Sequence, residues 1–112
     1  MSSYATKFDA APLLTTILEK SRAGKLKWDD TPDEDVFLAS VEGNTLKVQR
    51  KVLHPKDAVH RYILSLLDET GKLIWEIEEP WPMTKELFVL ARRVALRVDE
   101  RVDALMGTLQ KL

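Results

Sequence analysis

Two histidines, His54 and His60, are the only side chains of this sequence that titrate near neutrality without help from their surroundings. With Asp57 between them they are of the right types for a metal site or an acid–base pair. Their spacing argues against both. Six residues across a turn that holds Pro55 is not helical ligand spacing, and no third nitrogen or sulfur donor follows, so solvated histidines are expected. The acidic run Asp29, Asp30, Asp33, Glu34 and Asp35 has charge enough for a divalent cation. It lacks the alternating ligands and central glycine of a calcium loop, and reads as a solvated loop. Glu76, Glu78 and Glu79 could act as paired carboxylates, but Glu76 and Glu78 share a strand face and are expected to meet a neighbouring cation such as Arg61.

Nucleophiles and phosphate loops are equally scarce. Ser40 and Ser65 fall inside strands, away from any nucleophile elbow, and the four glycines form neither Gly-x-Gly-x-x-Gly nor Gly-x-x-x-x-Gly-Lys. With no cysteine there is no disulfide, thiolate metal site or thiol nucleophile, which fits a reducing compartment, and the cytoplasm is the expected location. No catalytic residue, metal ligand or cofactor site is assigned, and the chain is not expected to be an enzyme. One basic constellation stands out. Arg93, Arg97 and Arg101 recur at four-residue steps and, beside Lys47 and Lys51, could bind phosphate while Trp28, Tyr62, Trp75 or Trp81 stack on bases. Asp99, Glu100 and Asp103 interleave with that ridge, and 17 basic against 18 acidic residues give a net charge of -1. Nucleic-acid binding is therefore an alternative reading, and a small-ligand carrier with a pocket between helices and sheet is a further one.

The elements that would position these residues follow from periodicity. A chain of 112 residues suits one domain with a single core, and Met1 to Phe8 is expected to fray. Met1 to Lys7 lacks the apolar core of a signal peptide, and no apolar run reaches membrane-spanning length. Asp9 is a candidate N-cap, and Leu13, Leu14, Ile17, Leu18 and Ser21 trace a helical face that Gly24 should terminate. Leu26 and Trp28 then tuck inward. Val36 to Val41 and Thr45 to Leu53 read as a hairpin around Gly43-Asn44, and His54-Pro55-Lys56-Asp57 as a turn. Val59 to Leu67 and Lys72 to Glu78 read as two further strands joined at Asp68 to Gly71, and Glu79-Pro80-Trp81-Pro82 as a stiff corner. From Thr84 to Leu112 the apolar residues Leu87, Ala91, Val94, Val98, Val102, Leu105 and Leu109 follow steps of three and four, which predicts one long helix.

The economical architecture is a two-layer α+β domain, a four-stranded antiparallel meander with an N-terminal and a long C-terminal helix on one face. The short helix running into Gly24-Lys25-Leu26-Lys27-Trp28, the meander with its turn at Asp68 to Gly71, and the closing helix with Ala91-Arg92-Arg93-x-Ala95-Leu96-x-Val98-Asp99 resemble small uncharacterised bacterial α+β proteins. The resemblance implies no catalytic residue, cofactor or activity.

A continuous closing helix would be about 40 Å long, against under about 20 Å for four strands. Val102, Leu105, Met106, Leu109 and Leu112 should then overhang the sheet. Val89 and Leu96 lie near the polar side of that helix, and Leu38, Ile63, Leu67 and Ile74 fall on the outer sheet face. That is more apolar surface than a monomer leaves wet. The leading expectation is thus a non-enzymatic interaction domain that self-associates as a homodimer, or meets a protein partner, through these residues, with no membrane involved.

Overall fold

The computed structural model describes residues 11–54 and 59–112. The expected fraying of residues 1–8, the cap at Asp9 and the turn at Pro55 and Asp57 lie outside them. Strands β1 (Asp29–Asp30), β2 (Val36–Val41), β3 (Asn44–His54), β4 (Val59–Leu67) and β5 (Leu73–Ile77) form one antiparallel sheet in chain order. Because side chains alternate between faces, the register rows Phe37, Val48, Leu64 and Ala39, Leu46, Leu66 place one apolar set on one face. The sheet has five strands where four are expected. Asp29 and Asp30 pair with Leu38 and Phe37 although aspartate is a poor strand former, and two residues are too few to show alternation. Flanking anchors account for it: Trp28 is buried, and the Thr31 hydroxyl donates to the Val36 carbonyl at 3.0 Å.

The first hairpin turns one residue earlier than Gly43-Asn44. Glu42 (φ 52°) and Gly43 (φ 80°) are its central residues, and Val41 pairs with Asn44. A tight turn with positive φ at both centres is what right-twisted strands need, with glycine here in the second place and asparagine closing the ladder. At the turn between β4 and β5 the Asp68 carboxylate accepts from the Thr70 amide and hydroxyl and from the Lys72 amide.

Helix α1 (Ala11–Arg22) ends as expected at Gly24 (φ 73°). The Lys25 amide donates to the Lys20 carbonyl at 2.9 Å and the Gly24 amide to the Ser21 carbonyl at 3.2 Å, which satisfies two end carbonyls of the helix. Helix α2 (Trp81–Ala95) starts three residues before Thr84, since Pro82 is tolerated in a first turn whose amide needs no partner. The buried Thr84 hydroxyl donates to the Glu78 carbonyl at 2.8 Å, tying the end of β5 to α2. Leu14, Ile17 and Leu18 of α1 and Leu87, Phe88 and Ala91 of α2 pack with Trp28, Phe37, Val48, Tyr62 and Leu64 in one core, so both helices lie on the same sheet face.

The single long helix is corrected. Residues 84–112 divide into α2 and α3 (Val98–Gln110), with Leu96 at φ -87°, ψ 0° and Arg97 left-handed at φ 55°, ψ 44°. A non-glycine residue there costs about 1–2 kcal/mol, and an arginine in sequence gives no sign of it. The Leu96 amide to the Arg92 carbonyl (3.0 Å) and the Arg97 amide to the Val94 carbonyl (3.1 Å) close α2.

One buried polar link joins α1 to the sheet layer. The Trp28 indole Nε1 donates to the Ser21 hydroxyl at 2.9 Å, both residues being 2% exposed. Ser21→Ala orphans that donor and is expected to lower unfolding stability by about 1–3 kcal/mol. Urea titration, with an unchanged slope, measures it; an unshifted midpoint contradicts the assignment.

Candidate interaction surface

Helix α3 is the anomaly of the structure, for none of its residues is buried. Val102 is 50% exposed, Leu105 57%, Met106 49% and Leu109 50%. Val98, Val102, Leu105 and Leu109 follow steps of four, three and four, which keeps them on one narrow stripe with Met106 beside it, and Leu112 lies just past the helix end. Among the described elements α3 packs only against α2. An isolated helix of this length is marginal in water. Finishing the burial of four half-exposed side chains is worth roughly 3–6 kcal/mol, more than the strain at Arg97.

The other residues singled out in the sequence fare differently. Val89 on α2 is 55% exposed, but Leu96 is partly buried against the core at the end of α2. On the outer sheet face Ile74 is exposed, Leu38 and Leu67 are half-buried, and Ile63 is buried. The expectation of an exposed Ile63 is thus corrected. It stands opposite Gln49 and next but one to Arg61, in a sheet interior where long polar side chains can lie along an aliphatic neighbour. Lys47, Gln49 and Lys51 share that face with the aliphatic residues, as alternation places them.

The basic residues do not converge. Arg93 pairs with Asp99 at 2.6 Å and Arg97 with Glu100 at 2.7 Å, so acidic neighbours meet two of the three ridge arginines. Lys47 and Lys51 alternate with Leu46 and Val48 and therefore project from the sheet face opposite the helices, away from Arg101 and the rest of the ridge. Arg50 stacks over the Phe88 ring at 5.1 Å and pairs with Asp35 at 2.6 Å; it borders an open cleft of about 450 Å³ near Tyr62, Arg92 and Arg93. A shallow apolar groove of about 580 Å³ lies between α1 and the first hairpin, lined by Leu13, Ile17, Leu46 and Leu66 with Lys20 and Lys25. The His60 Nδ1 lies 3.5 Å from the Tyr62 hydroxyl, while Asp57 and the His54 side chain are outside the described residues. Among the described residues no group of three or more potential ligands could hold a metal ion, and no helix is long and apolar enough to cross a membrane.

Arg61 and Glu78 form the expected cross-strand pair on the outer face. The hydrogen bonds from the guanidinium hold the Glu78 carboxyl below its ordinary range and raise Arg61 in turn. Asp68 is held low in the same way by the Thr70 hydroxyl and the Lys72 amide. No protein-family model, curated protein or solved structure matches the chain.

Both depressed carboxyls bind protons less readily folded than unfolded. Their contribution is therefore complete above the unfolded value near about 4 and is lost as pH falls through the lower folded values. Thermal midpoints across the acid range are expected to hold steady above that value and fall below it, and to fall less in Asp68→Asn/Glu78→Gln. An equal fall in the double variant contradicts the assignment.

Proposed function

We propose that this protein is a non-enzymatic interaction domain whose partner is a second copy of itself, with the apolar stripe of α3 as the contact. The carrying observation is that stripe: a helix with no buried residue whose large aliphatic side chains are about half exposed along one line. Steps of four and three are the spacing at which two like helices interlock knob into hole, so the stripe is complementary to itself. Arg101, Asp99 and Asp103 flank it with mixed charge and so set no strong like-charge barrier between two copies. The association is reversible by design, because α1, α2 and the sheet fill a core that owes nothing to α3. A seam of a few layers is small beside a standard interface of about 800 Å² per partner, which points to a dissociation constant on the order of micromolar.

The alternatives have less support. A nucleic-acid module needs its cations on one surface and unpaired, and here they are divided between two faces, with Arg93 and Arg97 matched by acids. The groove beside α1 is open and shallow for a carrier that must surround its ligand.

Sedimentation velocity over a dilution series from millimolar to sub-micromolar tests the reading. The expected mass moves from two chains to one on dilution, Leu105→Asp and Met106→Asp stay monomeric, and Ile74→Asp behaves as the parent. One-chain mass at every concentration, or a dimer indifferent to both α3 changes, contradicts it.

A further inference from the structure

The break between α2 and α3 is not written in the heptads that cross it. Residues seven apart on a helix return to within about 20° of the same direction. One such line is Phe88, Ala95, Val102 and Leu109; the other is Ala91, Val98, Leu105 and Leu112. Every member is apolar. Each line begins on the buried side of α2, at Phe88 or Ala91, and runs through the exposed stripe of α3, the second reaching Leu112 just past the helix end, so a single seam is cut in two by Leu96 and Arg97. The cut contains neither glycine nor proline, and it places an arginine in the left-handed region that side chains disfavour.

What holds the bend is weak. Arg93–Asp99 and Arg97–Glu100 span it, but their side chains are 61–70% exposed, the class of ion pair that salt screens most readily. In a continuous helix residues three apart still meet, so Arg97–Glu100 would survive; residues six apart do not, so Arg93–Asp99 would not. Straightening thus gives up one surface ion pair, relieves the backbone at Arg97, and joins the seam.

We propose that Leu96–Arg97 is a hinge, and that α2 and α3 merge into one helix when a second copy covers the seam. The inference rests on the self-association reading and adds to it the form in which the partner is met. A straightened arm presents Ala95 and Val98 in line with the stripe, lengthening an interface that α3 alone leaves small. Bent, the chain is the unpartnered form; straight, it is the paired one.

The absence of native cysteine allows two spin labels to be placed cleanly, at Lys85→Cys and Gln110→Cys, both exposed. Pulsed electron paramagnetic resonance, with labelled chain diluted into excess unlabelled chain, reads their separation within one chain. A continuous helix sets their backbones roughly 38 Å apart, and any bend shortens that. The long distance is expected to gain population as the dimer forms. Asp99→Ala, which removes the bridging ion pair, should favour it further. Arg97→Gly, which relieves the bend and weakens a continuous helix, should favour the short distance and weaken dimerisation about tenfold. A dimer that retains only the short distance overturns the hinge and leaves self-association standing. A chain that stays monomeric at every concentration overturns both.

Discussion

A sheet of this size has room for two helices on one face, and the rest of the molecule follows from that limit. Five strands at about 4.8 Å spacing are roughly 20 Å across, the width of two helices packed about 10 Å apart. Helices α1 and α2 occupy that width, burying Leu14, Ile17 and Leu18 from one and Leu87, Phe88 and Ala91 from the other against Phe37, Val48 and Leu64. Helix α3 lies beyond that pair and, among the described elements, packs only against α2. Its apolar stripe has the pattern of a core-facing surface, yet none of its residues is buried.

This leaves a body that is complete and an appendage that is not. The core cluster draws on α1, α2 and the sheet and includes no residue of α3. Charged groups are paired along surfaces, Arg50 with Asp35, Arg61 with Glu78 and Arg93 with Asp99. Arg22 of α1 also pairs with Glu86 of α2, joining the two helices across their exposed sides.

Most of the architecture was legible in the sequence because its signals are local. Alternation placed Val36–Val41 and Val59–Leu67 at their observed bounds, and Gly24 marked the end of α1. What was illegible depends on the tertiary setting or leaves no compositional trace. Two aspartates become a strand because Trp28 and Thr31 hold the chain beside β2, not because aspartate favours pairing. The end of α2 has no glycine at its left-handed position, and the heptads run through it, so periodicity read one helix where there are two. Ile63 shows the same limit for burial: alternation gave its face but could not say that this part of the outer face is shielded. For the candidate surface, the exposure of Val102 and Met106 follows the spacing of the stripe, whereas Leu96 is partly buried at a helix end that spacing does not show.

The central claim is that, among the described elements, α3 has no cover beyond its contact with α2, and amide hydrogen exchange addresses it residue by residue. Amides of residues 98–110 are expected to exchange fast in dilute protein and to slow as concentration rises, while those of β3 and β4 stay protected throughout. Strong protection of α3 in dilute monomer, equal to that of the sheet, contradicts the account.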